Sequence, residues 1–193
     1  KSCGKERSSL MRLILNMTLI FFFLISKAHS DLTKKIVKNL EESSNYNFKF
    51  AQTINKKKET GKCILVFNRK INCKYDKSRK VLISDGENLI IRSNSSDNPS
   101  FYKLKNTSFY KIFDKKYLIG ELNSNKVEKK NEKIFIDLNY QNIDIKVFFD
   151  EENLYLKGWQ TTDIYNNSVF TEIEIYEINK NVKNNLFDIN EIN

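Results

Sequence analysis

This sequence predicts a mainly β chain with some α: a strongly curved antiparallel sheet or open barrel with helices over one mouth. Three observations carry that prediction. From Tyr46 onward, run after run places large apolar residues at every second position. Short turns marked by Asn, Asp or Gly separate the runs, which suits antiparallel neighbours. The period lengthens to three and four only before Tyr46 and around Phe109, and no motif recurs at roughly 20–50 residues.

The order begins with 1–10, which precede the first methionine, Met11, and read as upstream residues outside the folded chain. Residues 11–30 read as a secretory signal peptide. Arg12 heads the run, Leu13 to Ile25 is almost wholly apolar, and Ala28-His29-Ser30 places small residues before Asp31. The apolar run is shorter than the roughly 20 residues of a bilayer span. The chain is therefore expected to be exported and cleaved near Ser30, leaving 31–193 as one domain, long enough to build a core.

Residues 31–44 predict a helix, because Leu32, Ile36 and Leu40 recur on one face with Val37 beside them. Tyr46, Phe48, Phe50, Gln52 and Ile54 then share one face of a strand. Lys56 to Thr60 reads as a charged turn. Cys63–Phe67 and Ile71–Tyr75 flank Asn68-Arg69-Lys70, and centring that turn on Asn68 sets Leu65 opposite Ile71 and Cys63 opposite Cys73. The facing cysteines suit either a disulfide, as export permits, or two small buried thiols. Val81–Ser84 and Leu89–Arg92 flank the turn signal Asp85-Gly86. Asn94 to Ser100 is a polar loop. Phe109, Ile112 and Phe113, continued by Tyr117 and Leu118, predict one or two short helices over 107–118, with Thr107 or Ser108 as N-cap. Strands resume at 134–138, 143–149, 154–160 and 171–175, with a turn at Asn166-Asn167.

Composition removes several function classes. The only histidine, His29, lies in the signal peptide, which excludes histidine-based triads from 31–193. Two cysteines there are too few for a thiolate metal site, so no metal and no cofactor is expected. The glycines are scattered and form no phosphate-cradling loop. The net charge of +9 reflects a Lys- and Asn-rich chain, and export removes nucleic acid as a partner. Glu172 and Glu174 read as a solvated strand face, and no catalytic constellation emerges, so the chain is not expected to be an enzyme. What remains is the bulk assigned to the inside of the curved sheet: Phe48, Phe50, Leu65, Phe67, Tyr75, Phe135, Phe148 and Leu156. These residues predict either an ordinary filled core or a cavity for an apolar ligand, capped by the helix bearing Leu40 and by Phe109–Phe113.

The order and spacing of these features resemble a known family. A helix with Ile36 and Leu40 runs into Phe50-Ala51-Gln52. Leu65, Arg69 and Tyr75 follow, then Leu82-Ile83-Ser84-Asp85-Gly86 with Leu89, then Thr107-Ser108-Phe109. Leu156 to Trp159, Thr162-Asp163, Thr171 and Leu186-Phe187 complete the pattern. Across 31–193 this resembles LolA, the periplasmic outer-membrane lipoprotein carriers of Gram-negative bacteria.

The resemblance implies an unclosed, strongly curved antiparallel β-barrel with a helical lid over an apolar cavity. It implies a monomeric chaperone that shelters lipoprotein acyl chains. The partners it implies are lipidated outer-membrane lipoproteins, an inner-membrane lipoprotein-releasing ABC transporter and an outer-membrane acceptor. Leu40 and Ile112 would line the lid side, and Arg69 would hydrogen-bond lid backbone and hold the empty form closed. Read from its turn alone, Arg69 is a solvated hairpin tip. This chain departs from the pattern at Lys70, where the family usually has Pro, at Ser108, also usually Pro, and at both cysteines. Another apolar ligand, a phospholipid or fatty acid, and an interaction module with a filled core are the alternative readings.

Overall fold

The computed structural model describes residues 31–193 apart from 94–97, 126, 131, 164–166 and 190–193. The expected upstream residues and signal peptide, part of the Asn94–Ser100 loop and Asn166 of the expected turn lie outside the described residues. The described residues fall into two units, 31–35 and those from Ile36 onward. In the first, the described residues 31–35 are helical, with a Lys35–Asp31 ion pair at 2.8 Å. The helix α1 covers 31–42, two residues shorter than the periodicity predicts.

The second unit is built on one antiparallel sheet of 11 strands. These are β1 (Asn45–Ile54), β2 (Lys57–Val66), β3 (Lys70–Tyr75), β4 (Val81–Asp85), β5 (Asn88–Arg92), β6 (Ser100–Lys103), β7 (Glu128–Lys130), β8 (Lys133–Tyr140), β9 (Ile143–Phe149), β10 (Leu156–Thr162) and β11 (Ser168–Ile178). Their order, β6-β5-β4-β3-β2-β1-β11-β10-β9-β8-β7, leaves β6 and β7 as two edges that do not pair, so the sheet is unclosed. Between β6 and β7 come α2 (Phe109–Ile112) and α3 (Lys115–Ser124). Among the described residues no helix is long and apolar enough to cross a membrane.

Alternation explains why the strands pack. On β1, Tyr46, Phe48 and Phe50 are buried while Lys49 between them is exposed. One face of the sheet thereby collects the core, including Leu65, Ile71, Leu82, Leu89, Ile136, Val147 and Ile173. Burial of that apolar area supplies the main drive to fold.

The turns refine the sequence reading. The β1–β2 turn is only Asn55-Lys56, both at positive φ (47° and 67°), and Lys57 to Thr60 continue the strand instead of forming a charged loop. Both central residues at positive φ is the geometry that matches the twist of flanking strands. Cys63 faces Cys73 and Leu65 faces Ile71 as the centred turn requires, and Cys63 and Cys73 are joined by a disulfide across Cα atoms 4.1 Å apart. The short strands β6 and β7 are not expected from the sequence. Ser108 occupies the N-cap position of α2 but has helical dihedrals and no side-chain cap bond. The working cap is Asp114, whose carboxylate accepts from the Tyr117 backbone N–H at 3.1 Å to start α3.

Candidate functional site

Three rows of side chains cross the buried face. Phe48, Cys63, Cys73 and Leu82 lie opposite one another on β1 to β4. Phe50, Gly61 and Tyr75 form the next row, and Gln52, Thr171 and Trp159 form a third, running the other way across β1, β11 and β10. Phe109 and Phe113 from the α2 segment close over them. All these residues except Gly61, together with Ile71, line one partly open space between the sheet and the α2 segment. Side chains from opposite halves of the sheet can share one space only because the sheet bends round it.

That space measures about 20 Å³, close to the size of one water molecule by the same measure. The interior is therefore filled by its own aromatics. Phe109 and Phe113 stack at 5.2 Å, and Phe113 meets the Trp159 ring edge-on at 5.4 Å. Phe50 and Tyr75 pack edge-on at 4.9 Å. Gly61 must lack a side chain for this: a Cβ there would lie 2.7 Å from the Phe50 ring and 2.2 Å from the Lys74 carbonyl oxygen. Burial pushes the Tyr46 phenol up to about 12 and the Tyr75 phenol up as well, so both stay neutral at working pH.

The cover is fastened at three places. Arg69, on the β2–β3 turn, pairs with the Asp114 carboxylate between α2 and α3, and its guanidinium lies 4.1 Å from the Tyr110 ring centroid. Burial alone would raise the Asp114 carboxyl, but Arg69, the Tyr117 N–H and Lys111 together hold it below its ordinary value. Lys115 reaches from α3 to the Ser43 and Glu41 carbonyls at 2.8 and 3.3 Å, satisfying free carbonyls at the end of α1. Lys111 stands among three tyrosines, 3.9 Å from the Tyr117 ring centroid, 5.1 Å from Tyr140 and 5.7 Å from Tyr110.

The expected site residues divide accordingly. Phe48, Phe50, Tyr75, Phe109 and Phe113, with Cys63 and Cys73, are brought together around the space. Ile36, Leu40, Leu65, Phe67, Ile112 and Leu156 are buried but are not on its lining. Phe135 and Phe148 are corrections. The register puts Phe148 opposite Phe135 and Gly158, on the face away from Ile134, Ile136 and Val147. Two-residue alternation forces them to the outer side, where they pack on each other at 6.2 Å and on Phe170 at 5.8 Å. Arg69 is placed at the cover, but it binds a carboxylate, and the helix-end carbonyls are taken by Lys115. Gln52, Ile71, Leu82, Trp159 and Thr171 join the lining as residues the expected cavity did not include.

Two larger open depressions, about 600 and 410 Å³, lie on the outer face. Lys49, Lys62, Lys157, Glu172 and Glu174 dominate the first, and acids and lysines beside Phe148 and Phe170 the second. Mixed, solvated charge makes them poor hosts for an apolar ligand. Among the described residues no group of three or more His, Cys, Asp or Glu is arranged to hold a metal ion.

No protein-family model matches the sequence. No curated protein matches it either. Among solved structures, it is similar to a LolA superfamily protein from Nitrosomonas europaea, at 8% identity and TM-score 0.44, covering 85% of this chain and 99% of that one. It is similar to the Mycobacterium tuberculosis lipoprotein LppX, at 11% identity and TM-score 0.44, covering 81% and 98%. A DUF1329 family protein from Desulfovibrio piger is similar at 8% identity and TM-score 0.40, covering 86% and 98%.

Proposed function

We propose that this chain is an exported carrier that shelters acyl chains inside its curved sheet, with α2 and α3 as a cover that lifts to admit them. The observation that carries the reading is the seating of Phe109 and Phe113 in the sheet interior, against Trp159 and over the β1–β4 wall. Two aromatic side chains fill the place of a ligand: Phe109 opens the four-residue helix α2, Phe113 caps its C-terminus, and polar contacts at the margins add to their burial in holding the segment down. Lifting them replaces aromatic surface with acyl surface in an interior already apolar and uncharged. Among the described residues the lining of this space carries no charged side chain.

The favoured cargo is a lipidated protein handed from one membrane to another, with a releasing transporter and an acceptor as partners. A phospholipid or fatty acid is the alternative cargo. The test is to express the full chain in cells that make acylated lipoproteins, purify it, and identify what accompanies it by mass spectrometry of protein and organic extracts. Acylated protein should copurify with the wild type or with Arg69→Leu. Recovery of phospholipid or fatty acid alone would favour the alternative. Absence of any acyl compound from both forms would overturn the carrier reading.

A further inference from the structure

Within the apolar interior one row is polar. Trp159 lies opposite Thr171 on β11, and Thr171 lies opposite Gln52 on β1, so the three residues form a strip across three strands. All three line the partly open space. Trp159 is only 3% exposed. Its Nε1–H is fully buried and has no oxygen or nitrogen acceptor. Buried donors are nearly always paired, so an unpaired one beside a cavity marks a place where an acceptor fits. Gln52 Nε2 donates to Thr171 Oγ1 at 3.0 Å. That bond uses one of the two amide N–H groups of Gln52 and leaves the Thr171 hydroxyl its own proton to give.

We propose that Trp159, Thr171 and Gln52 form a subsite for the neutral carbonyl oxygen of an acyl ester or amide. The inference rests on the carrier reading and names which acyl compounds that carrier selects. All three donors are uncharged. Two cations near this end of the sheet, Lys80 and Lys57, are both held by Glu59, at 2.8 and 3.6 Å, and Lys80 also lies over the Tyr75 ring at 4.1 Å. A carboxylate buried here therefore gains no counter-charge, whereas a carbonyl needs none. The cover regulates access, because the Trp159 ring meets Phe109 and Phe113 edge-on at 6.3 and 5.4 Å. Lifting α2 uncovers the indole for the incoming ligand. Hydrocarbon tails then occupy the Phe48, Ile71 and Leu82 side, with the ester held at the strip.

Trp159 is the only tryptophan in the chain, so its indole N–H gives a single signal in a ¹H–¹⁵N spectrum. The full chain is titrated with methyl palmitate, palmitate and heptadecane, with displacement of an environment-sensitive apolar dye as the binding readout. Methyl palmitate should move the indole signal downfield, and heptadecane should not. Trp159→Phe, which keeps a ring but removes the donor, should weaken methyl palmitate about fivefold while heptadecane changes less than twofold, the size of one hydrogen bond. Palmitate should compete at least tenfold less well than the ester at neutral pH. Equal weakening of ester and alkane would reduce Trp159 to packing and overturn the subsite, as would the same indole shift with both, or palmitate binding as well as the ester. The spectrum of the unsubstituted chain keeps the inference testable if Trp159→Phe misfolds. Binding without discrimination refutes the subsite alone, whereas failure of the dye and all three lipids to bind refutes the carrier reading.

Discussion

Arg69→Leu should open the cover without unfolding the sheet. In the folded chain the Arg69 and Asp114 side chains are 27% and 16% exposed, so their ion pair is only partly screened. A charge-assisted hydrogen bond of this kind contributes about 1.5–3 kcal/mol, and the guanidinium over Tyr110 adds about 0.5–2 kcal/mol. With overlap and residual solvent screening, the pair of contacts favours the closed cover by about 2–4 kcal/mol, or roughly 30- to 1000-fold in the open population. Hydrogen exchange should show this directly. Amides of 109–124 should exchange faster by that factor, while those of β1, paired on both sides by β2 and β11, should not. Uptake of an apolar dye should rise in parallel. A cycle with Asp114→Asn separates the pair from the consequences of leaving one charge unpaired. Equal acceleration in β1 and 109–124 would show a global loss of stability, and no acceleration at either would show that Arg69 holds nothing; each result refutes the latch.

The same carboxyl fixes the pH behaviour. Asp114 is held below its ordinary value in the folded chain. A depressed folded pKa contributes stability at pH above the unfolded value, about 3.9, and that contribution is lost as pH falls through the folded value. Wild-type dye uptake should therefore be flat between pH 8 and 5 and rise only below about pH 4. In Arg69→Leu that acid limb should shrink.

The other fastenings give independent checks. Lys111→Met removes an ammonium standing among Tyr110, Tyr117 and Tyr140; a loss of about 1–2 kcal/mol from the cover should appear as faster exchange in 109–124, and Lys111→Arg should restore most of it. Replacing both Cys63 and Cys73 by Ser removes a link spanning 10 residues, so thermal melting should fall by roughly 6–12 °C, the equivalent of about 3 kcal/mol.

Periodicity made most of the sheet readable before any coordinates. The Tyr46–Ile54 alternation, the Asp85-Gly86 turn and the Cys63–Cys73 register depend on neighbours within a few residues, and local patterns carry them. The side of β8 and β9 that faces inward was not readable. Ile134, Ile136 and Leu138 alternate with Phe135, so both faces offer apolar groups, and bulk favoured the wrong one. The structure turns the branched side chains, with Phe149, to the inner face; Phe135, although only 8% exposed, packs on the outer face against Phe148, with Lys146 lying 3.8 Å from its ring centroid. The Trp159–Thr171–Gln52 strip needed the β1–β11 register, which joins residues 119 positions apart, beyond any local signal. Asp114 was within reach, since an acidic residue before Lys115–Leu118 is a helix-start signal.

The division between a fixed sheet and a separately fastened cover sets a length requirement for any acyl ligand. Helices as short as α2 and α3 do not sustain themselves and depend on what they pack against. Unseating Phe109 and Phe113 forfeits about 3–6 kcal/mol of burial, and the Arg69 contacts add about 2–4 kcal/mol. A ligand must offset about 5–10 kcal/mol before it gains affinity, besides losing its own freedom. At about 0.8 kcal/mol per buried methylene, an eight-carbon chain supplies about 6 kcal/mol and a sixteen-carbon chain about 12 kcal/mol. Binding of methyl esters should therefore set in sharply between those lengths. Because Arg69→Leu removes about 2–4 kcal/mol of the opposing term, it should shorten the threshold chain by about three to five carbons. A series of esters titrated against both forms measures that displacement. If affinity grows smoothly from the shortest ester, with the same profile in both forms, no cover is being lifted, and the filled interior is simply the core.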